Sequence, residues 1–86
     1  MSFTPEDLKR LAWHSRRGMW EVDIILGSFV DKCLHSASEA DLQLYRDLLA
    51  EEDQDLFLWL TRRAVAPTKN LQTSVELVLK AHDMRG

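Results

Sequence analysis

Apolar residues recur at helical spacing along almost the whole chain, and no stretch alternates apolar and polar residues as a half-buried strand would. Five segments follow. In "FTPEDL", Thr4 can N-cap, Pro5 fits the first helical position, and Asp7 stands where a capping-box acid would. Phe3 and Leu8 have the spacing of a hydrophobic staple. This first helix places Leu8, Leu11, Ala12 and Ser15 on one face and stops at Gly18, since glycine accepts the left-handed conformation that closes helices. The second runs from about Met19 to Leu34 with Val22, Ile25, Leu26, Phe29, Val30 and Cys33 as its apolar stripe. Gly27 inside it costs up to about 1 kcal/mol relative to alanine, which predicts close approach of another helix or of a partner. "SEADL" opens the third, with Ser38 as cap and Leu42, Tyr45, Leu48 and Leu49 inward. The fourth follows in "EEDQDLFLWLTRR", with Asp53 as cap and acids at its start opposed by Arg62 and Arg63 at its end. After a loop at Pro67, the fifth spans about Asn70 to Asp83. The pattern predicts an all-α fold, a small five-helix bundle forming a single domain over residues 1–86.

Composition narrows the function more than the fold. The chain has 86 residues, 45% apolar and 29% charged, which is ordinary for a globular domain. Its net charge of −3 argues against a nucleic-acid partner, which needs a basic face to displace counterions. The charge is uneven: four bases oppose two acids up to Arg17, whereas Ser38–Asp55 carries seven acids and one base. Such a dipolar surface suits a protein partner. The longest uncharged run, Ile24–Val30, is too short to cross a membrane, so no membrane insertion is expected. A single cysteine, Cys33, forms no internal disulfide, and "MSFTPEDLK" resembles neither a signal nor a transit peptide. Both features point to the bacterial cytoplasm.

The chemistry-bearing residues form few patterns. His14, His35 and His82 lack metal-ligand spacing, and no metal is expected. Cys33 lies on an apolar stripe and reads as a buried, inert thiol. No glycine-rich phosphate cradle is present, and a chain this small has little room for a deep pocket; no catalytic residue is assigned. The run "EEDQD" reads as a solvated helix junction.

One stretch is richer than its place requires. In "SRRGMWEVD", Arg16, Arg17, Gly18, Met19, Trp20, Glu21 and Asp23 crowd a helix–helix turn. A cap explains each alone: arginines on one helix C-terminus, glycine as stop, acids on the next N-terminus. It does not explain them together. Arg17 and Glu21 could pair at i, i+4. Trp20 points away from the apolar stripe of its helix, either as an interface anchor or as a cover for the junction.

"RGMWE", Arg17 to Glu21, resembles the RGxxE signature of the SdhE family of succinate dehydrogenase assembly factors. Further along, "LLAEEDQDLFLWL" is similar to that family's LL…DxDLxxWL stretch, so the likeness covers about Leu8 to Leu60. The resemblance implies a five-helix bundle that promotes covalent attachment of FAD to the flavoprotein subunit of succinate dehydrogenase, and of fumarate reductase in bacteria. It implies that the acceptor histidine and the FAD belong to the client, and that this chain holds no cofactor stably, with transient FAD binding left open. Arg16, Arg17, Gly18, Met19, Trp20, Glu21 and Asp23 become the expected partner-binding residues of a monomeric, non-enzymatic factor. The alternative is an antitoxin-type module that neutralises a small membrane toxin.

Overall fold

A computed structural model describes residues 3–83. Local chemistry accounts for most helix ends. Helix α1 (Pro5–His14) starts with a complete capping box: the Asp7 N–H donates to the Thr4 hydroxyl at 3.1 Å, and the Thr4 N–H donates to the Asp7 carboxylate at 3.0 Å. That second bond, from a backbone N–H, holds the Asp7 carboxyl below its ordinary pKa. Helix α3 (Glu39–Leu49) is capped by Ser38, whose hydroxyl accepts from the Asp41 N–H. In α5 (Lys69–Asp83) the Thr68 hydroxyl accepts from the Leu71 N–H in the same way.

Three elements depart from the sequence reading. Helix α1 ends at His14 with Ser15 as its C-cap, and Gly18 takes its left-handed conformation in the turn beyond rather than as the helix stop. Helix α2 spans Trp20–Lys32, shorter than Met19–Leu34. Its C-terminus widens before Leu34, where the Leu34 N–H reaches five residues back to the Phe29 carbonyl at 3.1 Å. Helix α4 (Asp53–Leu60) has Glu52, not Asp53, at its N-cap, and Glu52 makes no side-chain cap bond. The Asp53 carboxylate has another partner, described below. Of the two uses expected for Gly27, close approach of another helix is not found: a Cβ built there meets nothing within 4 Å among the described residues. Cys33, at the C-cap of α2, is half-buried rather than enclosed.

Helix α4 closes in a Schellman turn without glycine. The Arg63 N–H bonds the Leu58 carbonyl at 2.8 Å and the Arg62 N–H bonds the Trp59 carbonyl at 3.2 Å, with Arg62 at φ 62°. An L side chain is strained there, and the ion pair of Arg62 with Asp83 offsets little because both ends are largely exposed. Arg62→Gly is therefore expected to stabilise the protein by about 0.5–1 kcal/mol, a rise of about 3–6 °C in Tm. An unchanged or lower Tm in a thermal melt would show that the left-handed turn carries no strain.

All five helices feed one core. Helix α5 packs along both α2 and α3, α4 lies against α2, and α1 lies on α3. Val22, Leu26, Phe29, Tyr45, Leu48, Leu56 and Val78 have no exposed surface. The rings of Phe29 and Tyr45 stack with centroids 4.2 Å apart, joining α2 to α3. Buried Ser74 donates its hydroxyl to the carbonyls of Leu44 and Asn70, so α5 brings no unsatisfied hydroxyl into the core. Among the described residues there is no strand.

The Tyr45 hydroxyl lies 2.5 Å from the Ser15 hydroxyl, which also donates to the Leu11 carbonyl. Burial pushes the Tyr45 phenol up to about 12, against the opposing pull of the Ser15 hydrogen bond. The neutral phenol is favoured in the fold, so its contribution is complete below pH 10, where the unfolded phenol is also neutral. It is lost as pH rises through the folded value. Between pH 10 and 12 stability is expected to fall by about 2–3 kcal/mol from this group. Urea melts across that window should show a smaller decline in Tyr45→Phe; equal declines would remove Tyr45 as the cause.

Candidate docking site at the turn between the first two helices

The turn Ser15–Met19 links α1 to α2, and the chain folds there through a glycine. Gly18 has φ 80°, the left-handed region that side chains resist, and nothing lies within 4 Å of the Cβ position it lacks. Backbone amides of the turn are gathered by one carboxylate from the first turns of α2. Asp23 accepts from the Arg17 N–H at 2.7 Å and from the Gly18 N–H at 3.2 Å. Met19, at the N-cap of α2, has no side chain able to cap. Asp23 reaches back from inside the helix to the Arg17 and Gly18 amides and so fixes the approach of the turn.

The seven residues singled out from sequence divide into two sets. Arg16, Gly18, Trp20 and Glu21 are exposed, and Trp20 shows 81% of its surface. The side chains of Arg16 and Glu21 make no hydrogen bond or ion pair with the described residues, so their charges face outward. Arg17, Met19 and Asp23 are half-buried. Met19 packs on the core, and Asp23 serves the turn.

Arg17 differs most from its sequence reading. It does not pair with Glu21. Its side chain is 17% exposed and reaches the junction of α3 and α4, where Nη1 donates to the Asp53 carboxylate at 3.1 Å and Nη2 donates to the Leu49 carbonyl. Leu49 is the last residue of α3, so the guanidinium meets an orphan carbonyl at the negative end of a helix dipole and a carboxylate in one geometry. Arg17 Nε is buried without a partner. The fork of Arg17 therefore joins the stretch "RGMWE" to the stretch "LLAEED", thirty residues apart in sequence.

Sequence reasoning missed two members of this surface. Trp13, in the last turn of α1, is 74% exposed. It lies off the stripe Leu8–Leu11–Ala12–Ser15, and helical geometry alone would have placed it outward. Asp53 was read as a cap, and no local signal tied it to Arg17. Beside the turn, a groove between the end of α1 and the outer face of α2 is lined by Ala12, Arg16, Trp20, Ile24, Gly27 and Asp31 among others. The histidines lie elsewhere: His14 is exposed at the end of α1, and His82 Nδ1 is 3.1 Å from the Ser28 hydroxyl, linking α5 to α2. Among the described residues no helix is long and apolar enough to cross a membrane.

A small helical bundle with a glycine turn, outward charges and exposed tryptophans offers a surface suited to binding another protein. Comparison with known families makes the class specific. Residues 9–83 match the family model described as "Flavinator of succinate dehydrogenase", Sdh5. The chain is 45% identical over 73 residues to the FAD assembly factor SdhE of Pseudomonas savastanoi pv. phaseolicola, covering 85% of this chain and 87% of that one. It is 41% identical over 73 residues to the FAD assembly factor SdhE of Pseudomonas aeruginosa, with the same coverage. With that of Vibrio cholerae it shares 30% identity over 82 residues, covering 95% of this chain and 94% of the relative. The chain belongs to this family of succinate dehydrogenase flavinators.

Proposed function

We propose that this chain promotes covalent FAD attachment to the flavoprotein subunit of succinate dehydrogenase by docking the Arg16–Glu21 turn on that subunit. The observation that carries the docking surface is the set Arg16, Gly18, Trp20 and Glu21, held outward on a fixed turn with no internal partners for its two charges. Gly18 lets backbone approach backbone. Arg16 meets a client carboxylate or carbonyl, Glu21 meets a client base, and Trp20 supplies the apolar anchor of a contact centre. Met19 and Asp23 act from beneath, by packing and by holding the turn.

The chain acts as a chaperone rather than an enzyme. The client would provide both reacting groups, its own histidine and the methyl carbon of its bound FAD. A docked factor contributes by keeping the client's domains in an attachment-competent geometry. FAD stays with the client in this scheme. The flavoprotein subunit of fumarate reductase is a second client, and the factor works as a monomer in the bacterial cytoplasm.

The test is made in cells lacking the gene. Flavin fluorescence of the succinate dehydrogenase and fumarate reductase flavoprotein subunits is read in a denaturing gel, with and without the restored gene. Loss of signal without the gene and recovery with it is expected. Undiminished signal in both subunits would overturn the assignment.

A further inference from the structure

Arg17 belongs to the signature stretch, yet the structure turns its side chain away from the exposed face. Its two terminal nitrogens are committed to Asp53 and to the Leu49 carbonyl, and its backbone N–H to Asp23. Three separate elements thus meet in one residue: the α1–α2 turn, the end of α3 and the start of α4. An arginine suits this place because its planar fork reaches two acceptors in fixed directions, which a lysine ammonium cannot do. Asp53 stands at the first position of α4, where neighbouring Glu52 offers no side-chain cap, so its carboxylate is free to take the guanidinium. A second bolt lies beside the first. Ser15, immediately before the arginines, contacts Tyr45 of α3 through their hydroxyls. The turn is therefore held from the α3 side at both Ser15 and Arg17, with Gly18 between Arg17 and α2 and Glu21 in the first turn of α2.

We propose that Arg17 is a positioning residue that works through Asp53 and the Leu49 carbonyl to hold Gly18 and Glu21 in the geometry that docks on the flavoprotein, and that Asp53 is therefore required for docking. The inference rests on the docking surface proposed above. It separates the signature into groups that face the client (Arg16, Gly18, Trp20, Glu21) and groups that aim them (Arg17, Asp23, Asp53). It also explains why the acidic stretch of α4 accompanies the arginine–glycine stretch: each supplies half of one contact.

The test is a double-mutant cycle on affinity for the purified flavoprotein subunit, run with the full chain at a temperature where melts show every variant folded. Arg17→Ala and Asp53→Ala are each expected to weaken binding about tenfold, and the double variant about tenfold as well, because the second substitution removes a contact already lost. Arg17→Lys, keeping charge without the fork, should fall between wild type and Arg17→Ala. Amide exchange at Gly18 supplies a readout of aim: it should speed up in Arg17→Ala and Asp53→Ala while core amides of α2 keep their protection. A double variant weakened about a hundredfold would mean that the two residues act independently, with Arg17 touching the client itself. Wild-type affinity in Asp53→Ala would likewise overturn the positioning role. Glu21→Ala separates the two levels of the proposal. It should weaken binding while leaving Gly18 exchange unchanged. Wild-type affinity in Glu21→Ala would remove the docking surface, and the positioning role with it.

Discussion

Gly18→Arg is expected to cut flavin attachment to the client by tenfold or more while the protein stays folded. Two effects of different size follow from one geometry. At φ 80° any L side chain adds strain, about 1–2 kcal/mol, which a domain of this size tolerates. Nothing lies within 4 Å of the new Cβ, so no clash inside the protein adds to that cost. The side chain instead projects from the proposed contact face, where a few ångströms of separation break every neighbouring contact. Each 1.4 kcal/mol lost there is a factor of ten in affinity. Gly18→Asn distinguishes strain from bulk, because asparagine tolerates the left-handed region and is short. It should keep more activity than the arginine variant. In-gel flavin fluorescence of the client measures activity and a thermal melt measures the fold. Full activity from a folded Gly18→Arg protein would take Gly18 out of the contact.

Phe29→Ala is expected to cost about 3–5 kcal/mol, the largest stability change of any single substitution considered. Phe29 is fully buried on α2 and stacks on Tyr45, which in turn contacts Ser15 at the head of the turn. Removing the ring loses its transfer free energy and leaves a cavity against the Tyr45 ring. With total stability on the order of 5 kcal/mol, the variant should unfold early in urea, its midpoint falling by about 3–5 M for a slope near 1 kcal/mol/M. Phe29→Leu should lose far less, since much of the volume remains. Similar midpoints for the alanine variant and wild type would mean that the stack is not central to the core.

The fold was largely legible because each helix announces itself locally. The capping box at Thr4–Asp7, the cap at Ser38 and the 3.6-residue stripes depend only on neighbours in sequence, and the structure places them as read. The departures at the site involve partners distant in the chain. Asp53 looked like a cap because caps are local, but its carboxylate is claimed by Arg17 thirty-six residues earlier. The pairing of Arg17 with Glu21 looked sound for the same reason. Helical spacing alone cannot show that α2 begins only after Met19 and that Arg17 lies in the turn, outside any helix. Gly27 predicts close approach of a helix or of a partner, and periodicity cannot tell that no helix of the described residues fills this side of α2. The sign of Trp20 was recoverable from helical geometry, whereas Trp13 needed the same reasoning on α1.

The distribution of tryptophans also makes the protein its own optical reporter. Trp59 is buried at 7% exposure, whereas Trp13 and Trp20 stand at 74% and 81%. Indole emission moves to shorter wavelength when water is removed from the ring, so unfolding and docking act on different residues with opposite signs. Loss of the fold reddens Trp59; covering the turn by a client blues Trp20. A Trp13→Phe, Trp59→Phe protein would leave Trp20 as the single emitter at the contact, and quenching by iodide would then follow its burial without any attached dye.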